Sequence, residues 1–159
     1  MWERWNSYTR EHGFGHVGMN SFNHYAYGAI GQWLYATVAG LDTDRDAVGF
    51  KRLIVAPEPG GGLTHASASL DSPYGPARSA WRLDGERFAL ELTVPANTTA
   101  AVTVPAAGNV AEGGEPLAKS EGVSRVQTGD GRVTFEVGAG RYRFESTLPA
   151  DHHALSQQA

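Results

Sequence analysis

The 159-residue sequence contains no cysteine, which excludes disulfide bridges, thiolate metal ligands and a cysteine nucleophile. That absence leaves the compartment open, because a cysteine-free domain of this size folds on either side of a membrane. Also missing are an apolar run near the roughly 18 residues a membrane span takes and a basic start leading into an apolar stretch and cleavage site. The chain is therefore expected to be soluble, with no membrane partner, without an export signal of its own, and cytoplasmic by default. Charge of one sign is lacking too: the net charge is −4, and the 13 lysines and arginines are scattered along the chain. No footprint for nucleic acid results. What is present, 41% hydrophobic and 19% charged residues, is globular composition. One core is the default at this length, where folding buries roughly 70% of the unfolded chain's surface.

Two hydrophobic periods divide the chain. From Phe22 the apolar and aromatic residues fall at Phe22, Tyr25, Ala26, Ala29, Ile30, Trp33, Leu34, Thr37, Val38 and Leu41, the three-to-four spacing of an amphipathic helix. Ser21 is placed to cap its start and Gly40 with Asp42 to end it. Gly28 and Gly31 inside the helix cost about 1 kcal/mol each relative to alanine, so close approach of a neighbouring helix is expected. After Phe50 strict alternation takes over, as in Phe88, Leu90, Leu92, Val94 and in Val133, Phe135, Val137. Turn-forming clusters at PEPGGG, DSPYGP, LDGE, PANTT and GDGR separate the strands. Roughly eight short antiparallel strands in about 100 residues predict a β-sandwich. The last stretch, ADHHALSQQA, has no apolar period and reads as a disordered tail.

The opening WERW raises the chemical question. Glu3 lies between Trp2 and Trp5, and loss of water around a carboxylate is how a general acid or base is set for work near neutrality. A solvated terminal glutamate is the competing reading. His24 lies beside Asn20, Asn23, Tyr25 and Tyr27, a polar and aromatic collar suited to sugar hydroxyls and sugar faces. A histidine satisfied by the backbone at a helix start accounts for it equally well. His12, His16 and His24 lack a cysteine or carboxylate to complete a zinc site, and His152 and His153 fall in the tail. PGGGL is followed by a strand pattern and by no lysine and serine pair, so it is a turn and no phosphate cradle. Asp71, Tyr74 and Trp81 could line a sugar-binding face of the sandwich or simply pack. Asn97 in NTT fits a glycosylation acceptor.

The stretches WERW, GMNSFNHYAYGAIGQWLY, GLDTD and GFKRLIVAPEPGGGLTHASASLDSPYGPARSAWRLDGERFALELTVPANTTAAVTVP resemble, in that order, the C-terminal end of bacterial α-L-rhamnosidases of glycoside hydrolase family 78. The similarity covers about residues 2 to 105. It implies a mainly β chain: an antiparallel C-terminal β-sandwich at 48–148, preceded at 1–47 by the terminal helical fragment of an (α/α)6 catalytic barrel, with a tail at 149–159. The resemblance further implies inverting hydrolysis of terminal α-L-rhamnosyl residues from glycosides or polysaccharides. Glu3 matches the general base and His24 a histidine that contacts rhamnose, while Trp2 and Trp5 would shape the pocket. The general acid and most sugar contacts belong to the upstream barrel, which is thus a required partner, and no metal or cofactor is implied. The alternative is a non-catalytic carbohydrate-binding or accessory sandwich.

Overall fold

A computed structural model of the chain describes residues 2–150. Of the expected tail, residues 151–159, with His152 and His153, lie outside the described residues, as does the Tyr27 side chain. The chain divides into two compact units, Met1–Leu34 and Tyr35–Ala159.

In the first unit, β1 (Tyr8–Thr9) and β2 (Gly13–Phe14) form a small antiparallel hairpin with Tyr8 opposite Phe14. A 3-10 turn at Val17–Met19 follows, then a second at Tyr25–Gly28 that runs into α1 (Ala29–Trp33). Aromatic rings chain these pieces together edge to face: Tyr8 on Phe14 at 5.0 Å, Phe14 on Phe22 at 5.7 Å and Trp2 on Phe22 at 4.9 Å. Among the described residues of this unit only Ser7 is fully buried. Trp5, Phe14, Val17, Met19, Tyr25, Ile30 and Trp33 are all exposed. The apolar stripe read from the sequence is real, and among its described residues the unit has no buried apolar core.

The helix is shorter than its hydrophobic period. It starts at Tyr25, three residues after Phe22, because the main chain at Ser21 is bonded to Glu3 in both directions and so does not open a helix. His24, in extended conformation, occupies the position before the first helical turn. A π-helical turn at Leu34–Val38 follows α1 in the chain, and the second unit begins within it at Tyr35. Gly40 lies beyond it with φ +69°, and a Cβ there would fall 2.1 Å from the Pro57 nitrogen. Only glycine fits at this turn.

The second unit is a β-sandwich. One sheet has the order β10-β9-β13-β7-β6-β5, built from β5 (His65–Ser72), β6 (Gly75–Asp84), β7 (Arg87–Val94), β9 (Val110–Glu112), β10 (Glu115–Pro116) and β13 (Gly140–Thr147). The other has the order β11-β12-β8-β4-β3, from β3 (Asp42–Thr43), β4 (Arg52–Val55), β8 (Thr99–Pro105), β11 (Val123–Gly129) and β12 (Arg132–Val137). Those eleven strands exceed the eight expected, the extra ones being the two- and three-residue pieces β3, β9 and β10, which are too short to leave an alternating pattern. The pairing is antiparallel except between β4 and β8, which run parallel. Three strands of the opposite sheet intervene between these two, so the chain re-enters beside β4 in the same direction.

Alternation decides what is inside. Phe88, Leu90, Leu92 and Val94 of β7 face the core, as do Val133, Phe135 and Val137 of β12. Phe135 meets Phe144 across the sandwich with ring centroids 4.7 Å apart. Each such side chain contributes about 1.5–3 kcal/mol of transfer free energy. The predicted turns connect the strands as expected: Ser72 and Gly75 close the β5–β6 hairpin, and Leu63 N–H donates to Gly60 O within PGGGL. Where the helical turn leaves toward the strands, β6 secures it: Trp81 Nε1 donates to Val38 O at 2.6 Å and Ser79 Oγ to Ala39 O at 2.7 Å.

Candidate active site

Glu3 and His24, 21 positions apart, are brought together within the first unit, with Oε1 of Glu3 3.9 Å from Nε2 of His24. Their side chains are 19% and 31% exposed, so both are sheltered yet reachable from solvent. The arrangement begins with two hydrogen bonds to one residue: Glu3 N–H donates to Ser21 O at 2.7 Å, and Ser21 N–H donates to Glu3 Oε2 at 2.9 Å. A backbone donor to a carboxylate is a charge-assisted bond, shorter and stronger than a neutral one. The carboxylate is therefore held through Oε2, with Oε1 turned toward the histidine. The His24 ring lies parallel to that of Tyr25, with centroids 6.1 Å apart.

The other sequence candidates are placed less uniformly. Trp2 packs edge-on against Phe22 and remains half exposed, whereas Trp5 is fully exposed, at 101%. Asn20 is half-buried and donates through Nδ2 to Gly15 O at 3.4 Å; Asn23 faces solvent. His12 lies 3.5 Å from the Thr9 hydroxyl, and His16 Nδ1 accepts from Gly18 N–H. No group of three histidines, aspartates or glutamates suited to a metal ion occurs among the described residues. Trp81 is 2% exposed, so it belongs to the core of the sandwich, and Tyr74 instead holds Lys51 Nζ 5.0 Å from its ring centre. The row of exposed aromatics that a sugar-binding sheet face would use is absent among the described strands.

Sequence reasoning did not find Ser21 as the partner of Glu3. Its contribution is a main-chain amide, which no side-chain type announces. A concavity of about 530 Å³ lies elsewhere, in the second unit, and is lined by Val110, Leu117, Val126, Val133 and Glu145 among others. It contains none of Glu3, His24, Trp2 or Trp5, and its size carries no chemistry comparable to a carboxylate held beside a histidine.

Comparison with known proteins gives one answer for both units. Residues 40–119 match the family model described as bacterial α-L-rhamnosidase C-terminal domain, and residues 1–38 match the bacterial α-L-rhamnosidase six-hairpin glycosidase domain. An α-L-rhamnosidase of Streptomyces avermitilis is 41% identical over 144 residues, covering 91% of this chain and 13% of the relative. One from Formosa agariphila is 48% identical over 105 residues, covering 66% of this chain and 11% of the relative. The crystal structure of the Streptomyces avermitilis α-L-rhamnosidase complexed with L-rhamnose superimposes with a TM-score of 0.74 at 40% identity, covering 92% of this chain and 14% of that one. The chain thus spans about one-eighth of the length of these relatives.

Proposed function

We propose that this chain, which belongs to the bacterial α-L-rhamnosidase family, forms the closing part of an inverting α-L-rhamnosidase, supplying the general base from Glu3 and a sugar contact from His24. In this reading residues 1–47 work as the end of the catalytic barrel and 48–148 as the sandwich that follows it. The substrates are rhamnose-containing glycosides or polysaccharides, and the acid that protonates the leaving oxygen comes from the rest of the barrel.

The observation that carries the reading is the Glu3 carboxylate, anchored by the Ser21 amide and turned toward His24. In the reaction, Glu3 removes a proton from a water molecule whose oxygen attacks the anomeric carbon on the face opposite the leaving group. The glycosidic bond breaks as the acid donates its proton to the departing oxygen, and the sugar leaves with inverted configuration. A base and acid separated by roughly 6.5–9.5 Å leave room for that water. His24 would bond a rhamnose hydroxyl through its ring nitrogen, and the exposed faces of Trp2 and Trp5 would form pocket walls.

The test has two parts. The chain by itself, incubated with 4-nitrophenyl α-L-rhamnoside, should release no nitrophenol above background, because it supplies the base without the acid. Grafted in place of the matching segment of the Streptomyces avermitilis enzyme, it should support turnover, and proton NMR of the first product should show β-rhamnose before mutarotation. Initial formation of α-rhamnose would refute inversion.

A further inference from the structure

We infer that the second unit holds a rhamnose-bearing oligosaccharide, in a trough that runs from a cavity between β9 and β11 onto the outer face of β13, β7 and β6. The class of sugar rests on the proposed function; the trough is an added site, for a part of the substrate that is not cleaved.

Three concavities of this unit adjoin through shared walls. The first, about 530 Å³, shares Arg87 and Glu145 with a second of about 410 Å³. The second shares Arg82, Ala89 and Arg143 with a third of about 100 Å³. Strand register explains the two on the sheet face. Arg82, Ala89 and Glu145 lie in one row across β6, β7 and β13, and Ala80, Glu91 and Arg143 lie in the next. Side chains alternate along a strand, and Phe88, Leu90 and Phe144 point into the core, so both rows face outward. Each row sets one alanine among long charged side chains, and the alanine becomes the floor.

The walls carry donors and acceptors together. Arg143 bonds Glu145 at 2.9 Å, and Arg78 bonds Glu91 at 3.3 Å. Arg82 and Arg87 are exposed and enter no ion pair among the described residues. Their guanidinium groups donate in a planar fork and the neighbouring carboxylates accept, the two functions that a sugar diol requires. Carboxylates interleaved with arginines disfavour a bare anion. None of the exposed large apolar residues lies in β6, β7 or β13, so the face lacks the anchor a protein partner uses. The trough also crosses the strands instead of following an edge to which a peptide could add a strand.

The first cavity supplies an apolar end, lined by Leu117, Val126 and Val133. Val126 reaches it through a bulge. On β11, Arg125 and Val126 stand between the pairs Ser124–Glu136 and Gln127–Thr134, where β12 has Phe135 alone. Arg125 takes φ +52°, a left-handed conformation uncommon outside glycine, and Val126 is left 46% exposed at the cavity. A 6-deoxy sugar carries a methyl group beside its hydroxyls. Its methyl would pack on Val126, while Asn109 and Thr128 of the same wall bond the hydroxyls.

The test is a titration of the full chain with a linear trisaccharide of L-rhamnose, followed by calorimetry and by ¹H–¹⁵N NMR. Saturable binding with a Kd below about 1 mM is expected, with amide shifts at Arg82, Arg87, Ala89 and Val126. Replacing both exposed arginines, Arg82→Ala with Arg87→Ala, should weaken binding about tenfold or more at an unchanged urea midpoint. Arg141→Ala, exposed on the same face and outside the trough, should bind as the native chain does. Absence of binding, shifts confined to the surroundings of His24, equal affinity for cellotriose, or native affinity in the double variant would each overturn the proposal. The catalytic reading is separable: no binding together with an inactive Glu3→Gln graft would sink the trough alone. Binding in the trough together with native kcat in that graft would sink the general base alone.

Discussion

Individual side chains set the local energetics through few contacts. Arg52 illustrates this in the sandwich: its guanidinium reaches Asp44 Oδ2 and Glu136 Oε1, both at 2.7 Å, and Arg125 joins the same Glu136 oxygen at 3.2 Å. The Asp44 carboxyl is held below its ordinary 3.8, chiefly by the backbone N–H of Asp46 and then by the Arg52 side chain. A carboxyl with a depressed folded value contributes stability above its unfolded value and loses it as pH falls through the folded one. Asp44→Asn should therefore lower the urea midpoint at pH 7, and the gap to the native protein should narrow as the pH is taken below 3.8. A constant gap at both pH values would contradict the assignment. The effect is expected to be small, because these groups are solvent-accessible. In the core the numbers are larger: Phe135→Ala, which empties a fully buried site against Phe144, should cost about 3–5 kcal/mol in denaturant unfolding.

At the scale of elements, the junction between the helical turn and the strands depends on one glycine and two β6 side chains. Gly40→Ala combines a left-handed backbone position with a Cβ 2.1 Å from the Pro57 nitrogen, so the turn has to open. It should destabilise the second unit by about 2 kcal/mol or more, read as a lower thermal midpoint, whereas an unchanged midpoint would mean that the junction relaxes freely. The strands here were legible in advance because period-two alternation states directly which residues face inward, and Phe88, Leu90, Leu92 and Val94 do so. The turns were legible because glycine, proline and aspartate are needed where they occur. The helix was only partly legible. Its apolar period begins at Phe22, but the backbone at Ser21 is committed to Glu3, a bond between residues 18 positions apart that local propensity does not express. Of the site, the residue types at Glu3 and His24 could be read, while the main-chain amide of Ser21 that bonds the Glu3 carboxylate could not. Trp81 was ambiguous for a different reason: exposed and buried tryptophans look alike in sequence, and the hydrogen bond to Val38 O decided it.

For the whole molecule, the two units contrast in what they can stabilise alone. The second buries a continuous apolar core between its sheets, and the first exposes its tryptophans and its apolar helix stripe, with Ser7 the one buried residue among those described. A unit of that kind suits a role as one portion of a larger helical assembly, in line with the six-hairpin glycosidase match at residues 1–38. The central claim is that the Glu3 carboxylate is the general base, and the most direct test is the steady-state rate of the grafted enzyme carrying Glu3→Gln on 4-nitrophenyl α-L-rhamnoside. The substitution keeps the size of the side chain and an acceptor for the Ser21 amide while removing the base. The account predicts a fall in kcat of about a hundredfold to ten-thousandfold with KM nearly unchanged. A kcat within a few-fold of the native value would contradict it.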